Sequence, residues 1–238
     1  MNPSTIVNQM LIQVVAAYWW VFPLFILLAF LKSPFMKGAL GEFQVNLAAK
    51  FFLDKHLYTL FKNVTLRTED GTTQIDHVIV SRFGVFVIET KNMKGWIFGS
   101  VQQKTWTQKI YRHTTKFQNP LHQNYKHTKT LQDALVIDSE KVFSVVVFVG
   151  DSTFKTAMPD NVVYTGGYIR FIKSKVQIVL SESEVQEICS NIQSGRLKPS
   201  IRTHLDHVQH VKTIVEKKSN FHDNSCPKCG MPMVLRTA

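Results

Sequence analysis

The stretch QIDHVIVSRFGVFVIETK, residues 74–91, decides the fold of this chain. Two runs of β-branched and aromatic residues flank Ser81-Arg82-Phe83-Gly84, a pattern that is typical of a β-hairpin. Apolar side chains occupy both faces of these strands, as in a sheet that helices cover on both sides. Together with the amphipathic helix patterns around it and the apolar strand 142–149, the hairpin predicts an α/β fold.

Two carboxylates, Asp76 and Glu89, interrupt the apolar hairpin. If residues 81–84 form the loop, counting outward along both strands places Asp76 opposite Glu89. Opposed Cβ atoms lie roughly 5 Å apart on one face of a sheet. Like charges at that distance repel each other and resist desolvation, which a divalent cation between them would offset. Lys91 projects from the same face as Glu89, because side chains alternate along a strand.

This group of residues indicates a site for a divalent metal ion and a phosphate. Mg²⁺ prefers oxygen ligands, which carboxylates supply, and a lysine offsets negative charge that develops on a phosphate. A simpler interpretation is a structural ion pair between Asp76 and Lys91 at the sheet edge, with Glu89 facing solvent.

The order of motifs along the chain resembles the nuclease-related domain (NERD) family. The motifs are Gly41-Glu42 on a predicted helix, Gln74-Ile75-Asp76-His77-Val78-Ile79-Val80, Val87-Ile88-Glu89-Thr90-Lys91 and Asn119-Pro120-x-x-Gln123. That family looks like a branch of the PD-(D/E)XK nuclease superfamily. The resemblance implies a restriction-endonuclease-like αβββαβ core over roughly residues 38–160.

The resemblance also implies roles for individual residues. Glu42, Asp76 and Glu89 would bind Mg²⁺ or Mn²⁺, Lys91 would position or activate the attacking water, and Gln123 would support the site from the following helix. The implied activity is metal-dependent hydrolysis of DNA phosphodiester bonds, by an endo- or exodeoxyribonuclease. Two alternatives are a non-catalytic nucleic-acid-binding or interaction module on the same fold, and a scaffold that binds the membrane surface.

The charge balance agrees with a polyanionic partner. The chain has 28 Lys and Arg against 17 Asp and Glu, a formal net charge of +11. From Thr90 to Gln132 eight basic residues and no acidic one occur, with aromatic residues between them. This stretch predicts contacts with the phosphate backbone of a nucleic acid, without sequence specificity, and the family resemblance implies that this nucleic acid is DNA. Anionic lipid headgroups are the alternative partner.

An apolar segment precedes all the charged residues. Met10–Leu31 contains no charged side chain, and as a helix its 22 residues would extend about 33 Å, enough to cross a hydrocarbon core of about 30 Å. A cleaved signal peptide is disfavoured, because no basic residue precedes the segment and no Ala-x-Ala site follows it. Lys32 and Lys37 follow directly, so the positive-inside rule predicts a single-pass protein of the cell membrane whose soluble domain faces the cytoplasm.

The C-terminal tail contains a Cys-x-x-Cys turn. Two thiolates at the spacing of Cys226 and Cys229 can share one Zn²⁺, but zinc takes four ligands. The tail resembles the first half of the zinc ribbon at the end of bacterial type I topoisomerases. Either the half-site is vestigial, or His222 and another chain complete it.

These patterns divide the chain into a membrane anchor with linker (1–37), a nuclease-like domain (38–195), a helical linker (196–220) and a partial zinc-ribbon tail (221–238). Within the second part they predict helices over 41–57 and 120–135, and a helix that begins with the capping-box pattern Ser181-x-x-Glu184 and ends near Gly195. Residues 32–40 are expected to form a linker, and residues 168–171 and 176–180 are expected to form short strands. Strict alternation places Ile75 and Ile79 on one face of the hairpin.

Overall fold

A computed structural model describes residues 8, 10, 12, 13, 16–68 and 71–195. The protein has a mixed α/β fold, as the sequence predicts. The helices are α1 (Val21–Leu31), α2 (Pro34–Phe52), α3 (Pro120–Leu135), α4 (Thr165–Lys173) and α5 (Glu182–Gly195), with one 3-10 turn at Ser139–Lys141. The strands are β1 (Tyr58–Thr68), β2 (Gly71–Ser81), β3 (Gly84–Asn92), β4 (Gly95–Phe98), β5 (Thr105–Ile110), β6 (His113–Gln118), β7 (Val142–Val149), β8 (Ser152–Phe154) and β9 (Val162–Tyr164). The predicted helical linker and the cysteine-bearing tail lie outside the described residues.

A five-stranded sheet forms the centre of the molecule, with the strand order β1-β2-β3-β7-β9. Strands β1, β2 and β3 are antiparallel, whereas β7 lies parallel to β3 and β9 lies parallel to β7. Helices α3 and α5 pack on one face through Leu131 and Ile192, and α2 and α4 pack on the other face through Val45 and Ile172. The prediction of a sheet covered on both faces is therefore confirmed.

A smaller sheet, with the order β6-β5-β4-β8, lies beside the central one. It contacts the central sheet through a third group of apolar side chains that includes Ile97 and Trp106. The indole of Trp106 is fully buried and stacks on Phe148 of β7, with 6.2 Å between the ring centroids. This contact fixes the small sheet against the strand that neighbours β3.

The alternation of side chains along β1 and β2 is interrupted at one point. Val78 and Ile75 face the same apolar core, although they are three residues apart. Asn63 on β1 lies between the paired positions that flank Asp76, and its φ of +49° is in the left-handed region that asparagine tolerates better than most residues. The expectation that Ile75 and Ile79 share a face is therefore wrong. Asn63 and Asp76 interrupt the regular strand pairing, and the alternation of side chains between the two faces is shifted there.

Helix α2 begins earlier than the sequence pattern predicts. Ser33 is its N-cap, with Oγ accepting a hydrogen bond from the Met36 amide at 3.2 Å, and Pro34 occupies the first turn. The expected linker over residues 32–40 is consequently wrong from Pro34 onward, and the expected boundary at residue 38 falls inside the helix. The helix ends at Phe52 rather than Leu57.

Within the described residues, the two strands that the sequence predicts over 168–171 and 176–180 are absent. Residues 168–171 belong to α4, whose buried residues Tyr168, Ile169 and Ile172 follow helical rather than strand spacing. Residues 176–180 form no strand; instead the amides of Val179 and Leu180 both donate to the carbonyl of Arg82 in the hairpin loop. The capping box at Ser181 is confirmed: the Ser181 amide donates to Glu184 Oε2 at 2.7 Å, and the Glu184 amide donates to Ser181 Oγ at 3.2 Å.

The apolar N-terminal segment is described only in part. Within the described residues, no single helix combines the length and the apolar character that a bilayer crossing needs. Helix α1 and the segment Phe35–Phe52 meet those requirements together, but their axes meet at 59°. None of the eleven residues of α1 is buried, and none of them has a polar side chain.

Candidate active site

The hairpin β2–β3 has the register that the sequence predicts. The paired positions run from His77 with Ile88 to Ser81 with Gly84, so the loop is one pair shorter than expected while the register is unchanged. One step beyond the last pair, Asp76 of β2 comes opposite Glu89 of β3. Both carboxylates therefore lie where the regular pairing of β2 with β3 ends, next to the interruption of the β1–β2 pairing at Asn63.

Lys91 links the hairpin to helix α3. Its Nζ lies 2.6 Å from Glu89 Oε1 and donates a hydrogen bond to Gln123 Oε1 at 2.9 Å. The Glu89 side chain is only 3% exposed, and that of Lys91 is 22% exposed. The structure thus brings together three of the residues that the sequence predicts. It also departs from the simpler interpretation, since Glu89 is buried and is itself the ion-pair partner of Lys91.

Asp76 is held by the backbone of the neighbouring strand. Its Oδ2 accepts a hydrogen bond from the Thr90 amide at 2.7 Å. Burial raises the pKa of Asp76 well above its ordinary value, and the negative charge of Glu89 raises it further. The Thr90 hydrogen bond and the charge of Lys91 act in the opposite direction but do not outweigh burial and repulsion.

Glu89 is stabilised as a carboxylate. Burial raises the pKa of Glu89, but the neighbouring His127 ring and the Lys91 ammonium outweigh burial and bring the net pKa below its ordinary value. His127 Nε2 lies 3.3 Å from Glu89 Oε2, and His127 Nδ1 lies 2.8 Å from Thr73 Oγ1. Two adjacent acids thus have pKa values displaced in opposite directions, an arrangement that is common at sites of chemistry.

Glu42 belongs to α2, which packs on the other face of the central sheet from α3. Burial raises the pKa of Glu42, and the negative charge of Glu89 adds to that shift. Gly41 allows helix α2 to come this close, since a Cβ there would lie 2.8 Å from a Val149 methyl group and 3.0 Å from the Asn92 Cβ. The Gly-Glu pair of the motif therefore combines a close helix–sheet contact with a carboxylate whose charge influences the pKa of Asp76.

His77 of the Ile-Asp-His motif is not part of this cluster. Its ring is fully buried on the face of the sheet that α2 covers. Burial lowers the pKa of His77 to about 4, and the nearby positive charge of Lys62 contributes to the shift. We therefore describe His77 as a neutral residue of the core.

Within residues 16–68 and 71–195 and the four described residues before them, no group of three or more His, Cys, Asp or Glu side chains is gathered tightly enough to hold a metal ion. The chemistry of the cluster nevertheless suits a hard cation, because carboxylate oxygens are the ligands that Mg²⁺ prefers. Glu89 Oε2 is buried and makes no aligned hydrogen bond within the described chain, although His127 is near. A cation would also relieve the repulsion that raises the pKa values of Asp76 and Glu42.

Sequence reasoning did not identify His127 and Thr73 as members of the cluster. His127 lies four residues after Gln123 on α3, so the two side chains share a helix face, and this spacing was an available signal. Thr73 could not be located in this way, because its contact with His127 joins residues 54 positions apart.

Asn119 of the Asn-Pro-x-x-Gln motif has a structural role. Its Oδ1 accepts a hydrogen bond from the Leu121 amide and caps α3. Its Nδ2 lies within hydrogen-bonding distance of three backbone carbonyls in the preceding loop, those of Ser100, Val101 and Gln103. The motif therefore fixes the start of α3, which sets the position from which Gln123 contacts Lys91.

The fold and the cluster together define the class of protein. It is an α/β domain in which acidic, lysine and glutamine side chains lie at the end of a buried hairpin. A family model described as "Nuclease-related domain" (NERD) matches residues 37–149, which include every residue of the cluster. The chain belongs to the NERD family, as its motifs indicate. An uncharacterized protein of Bacillus anthracis is 39% identical to it over 165 residues, which cover 67% of this chain and 76% of that protein.

The predicted zinc ligands cannot be compared with the structure. Cys226, Cys229 and His222 all lie outside the described residues, so the zinc half-site stays a prediction from the sequence.

Proposed function

We propose that this protein is a metal-dependent nuclease that hydrolyses DNA phosphodiester bonds. The observation that carries the proposal is the position of the Lys91 ammonium, which lies between Glu89 and Gln123 next to Asp76, inside the region that matches the NERD family. A partly buried ammonium beside two carboxylates is suited to a reaction in which negative charge develops on a phosphate.

In this proposal Asp76, Glu89 and Glu42 hold Mg²⁺ or Mn²⁺. When bound, the ion would polarise the scissile phosphate and make a water molecule more acidic. Lys91 orients that water and offsets the developing charge, and Gln123 fixes the direction of the Lys91 ammonium through their 2.9 Å hydrogen bond. His127 keeps Glu89 ionised, since its ring lies against the one carboxylate oxygen that Lys91 does not contact.

The exposed basic residues near the cluster are proposed to contact the DNA backbone. Seven of the eight basic residues between Thr90 and Gln132 are exposed: Lys94, Lys104, Lys109, Arg112, Lys116, Lys126 and Lys129. Trp96 is 48% exposed, and the ammonium groups of Lys109 and Lys155 lie 5.9 and 4.8 Å from its ring centroid. An exposed ring among cations suits contact with bases and phosphates.

We further propose that the apolar segment Met10–Leu31 attaches this domain to the cytoplasmic side of the cell membrane. Support comes from α1, which presents large apolar side chains such as Phe22, Phe25 and Ile26 without burying them. Contiguous exposed apolar surface of this kind usually contacts a membrane or another protein. Lys32 and Lys37, directly after the segment, support the orientation.

A second candidate function is nucleic-acid binding without cleavage. It is favoured by the ion pair of Glu89 with Lys91, because this pairing satisfies one carboxylate oxygen without a metal ion. The two candidates differ in one observable: only a nuclease converts supercoiled plasmid into nicked or linear products.

The test uses the purified full chain, supercoiled plasmid, and Mg²⁺, Mn²⁺ or a chelator. We expect cleavage with either metal and none with the chelator. Asp76→Asn and Lys91→Ala should each reduce the rate by about 100-fold or more, a loss typical of charge stabilisation in an active site, while DNA affinity changes less than about twofold. Lys173→Ala, at the exposed end of α4 and outside the basic stretch, is the matched control and should cleave at nearly the rate of the wild type.

A wild-type chain that binds plasmid but leaves it supercoiled with both metals would reject the nuclease and favour the binding module. If Asp76→Asn cleaves as fast as the wild type, the cleavage comes from a contaminant or from another site.

A further inference from the structure

We propose that the groove between α2 and β1 binds an acyl chain that has an anionic head group. This groove is distinct from the acid–lysine cluster and has a volume of about 380 Å³, within the usual range for small-molecule sites, about 300–1,000 Å³. Its wall is mainly apolar and consists of Phe43, Leu47, Ala49, Leu53, Leu60 and Ile79, with the ring of Tyr58 beside them. An aliphatic chain would remove this surface from water.

Three lysines give the groove a positive rim. Lys50, Lys55 and Lys62 all line it and all are exposed, and no Asp or Glu is among the residues that line it. Within the described chain none of these three ammonium groups forms an ion pair, so their like charges repel one another, and an anionic head group would relieve that repulsion. Asn46 also lines the groove, and its Oδ1 is buried without a hydrogen-bond partner in the described part of the chain.

The position of the groove favours an amphiphile over a nucleic acid. Phe43 and Leu47 are 58% and 40% exposed, and they continue an apolar surface along α2 that includes Phe35 and Phe51. This surface follows directly on α1, the segment proposed to contact the membrane. Phosphates and bases would leave an aliphatic wall of this kind unfilled, whereas an acyl chain with an anionic head matches both the wall and the rim.

The test is titration of the full chain with 11-(dansylamino)undecanoic acid, whose fluorescence rises when the dansyl group leaves water. We expect saturable binding at one site per chain. Replacing the rim with Lys50→Gln, Lys55→Gln and Lys62→Gln together should weaken binding about tenfold, because three exposed charge contacts are lost. Leu47→Trp, which fills the groove from an exposed position, should weaken binding at least fivefold.

The matched control is the triple variant Lys104→Gln, Lys109→Gln and Lys116→Gln. It removes the same charge from the small sheet and should bind the probe within about twofold of the wild type. All variants keep α1, so adsorption to that segment contributes equally. Circular dichroism and thermal melting identify any variant that does not fold, and the two groove variants act through different residues.

The methyl ester of the probe tests the head group and should bind the wild type at least fivefold more weakly than the acid. Displacement of the probe distinguishes two sources of such a ligand. Displacement by vesicles of phosphatidylglycerol indicates a membrane lipid, and displacement by oleate alone indicates a free fatty acid. Either result supports the proposal. Equal weakening by the two triple variants, or equal binding of the acid and its ester, would overturn it.

Discussion

The two sheets of this protein use their side chains in opposite ways. In the central sheet β2, β3 and β7 are buried over most of their length, and specific contacts hold Asp76, Glu89 and Lys91 in place. In the small sheet, β6 is exposed at five of its six residues, and its lysine and threonines face solvent. The buried central sheet therefore fixes the positions of the site residues, whereas the small sheet presents polar and positively charged side chains to solvent.

This contrast explains why a polar residue carries different information in each sheet. Glu89 and Asp76 would destabilise a buried sheet without partners, so their presence in an apolar hairpin indicates a specific arrangement. Lys109 and Lys116 cost little at an exposed position, and only the number of basic residues and the absence of acidic ones from residues 90–132 of the sequence suggest a partner.

The largest expected effect is a difference in the free energy of unfolding between a substitution in the central sheet and one in the small sheet. Ile88→Ala removes a fully buried side chain between the central sheet and its helices, and we expect a loss of about 3 kcal/mol in the free energy of unfolding. Ile110→Ala, at a position that is 37% exposed on β5, should cost less than about 1 kcal/mol. Urea denaturation of both variants checks the difference. Equal losses would mean that the small sheet contributes as much to the core as the central one.

The junction between the sheets should also be sensitive. Asn119→Ala removes the cap of α3 and the contacts with three carbonyls of the loop before β5, so we expect a loss of about 2 kcal/mol. Asn119→Ser retains an N-cap acceptor and should recover about 1 kcal/mol. The same urea series measures both variants. If serine were no better than alanine, the cap would not contribute.

A smaller effect is expected on DNA affinity, and it concerns the exposed sheet. The triple variant Lys104→Gln, Lys109→Gln and Lys116→Gln should weaken binding and reduce the slope of log K against log salt by up to about 2.7, if each lysine neutralises one phosphate. Fluorescence anisotropy with duplex DNA over a range of salt concentrations measures this slope. The groove triple variant at Lys50, Lys55 and Lys62 is the control and should leave the slope unchanged.

The smallest expected effect is a pH dependence at the N-terminus of α5. The Ser181 amide, followed by Lys141, lowers the pKa of Glu184 to about 2. The folded state therefore favours the carboxylate, and its stabilisation is complete above the ordinary pKa near 4.5 and is lost as the pH falls toward 2. Thermal melting should show that Glu184→Gln lowers Tm at pH 6 and that this difference shrinks at pH 2.5. Gln186→Ala, which changes no ionisable group on the same helix, should give the same difference in Tm at both pH values.

The sequence predicts the elements whose signals are local. The hairpin register, helix α3 with its N-terminal proline and the capping box at Ser181 depend on neighbouring residues and are confirmed. Helix α4 was missed because Thr165-Gly166-Gly167 looks like a turn, and its helical stripe is short. Strand β6 was missed because an exposed strand of polar residues has no alternating apolar pattern.

The candidate site could be predicted only in part for a related reason. The proximity of Asp76 to Glu89 follows from counting along one hairpin, and the contact between Lys91 and Gln123 agrees with the family motifs. The contacts of Glu89 with His127 and of His127 with Thr73 depend on how α3 crosses the sheet. A periodic pattern shows which face a helix buries but not which strand residue lies beneath each side chain.

The parallel pairing of β3 with β7 has a consequence for synthesis. About fifty residues separate the end of β3 from the start of β7, and a ribosome adding about 5–20 residues per second needs several seconds to make them. Throughout that interval one edge of an apolar hairpin has no partner strand and could join another nascent chain. Glu89 and Lys91 place charged side chains on that strand, and charge on an unpaired strand disfavours its pairing with another chain.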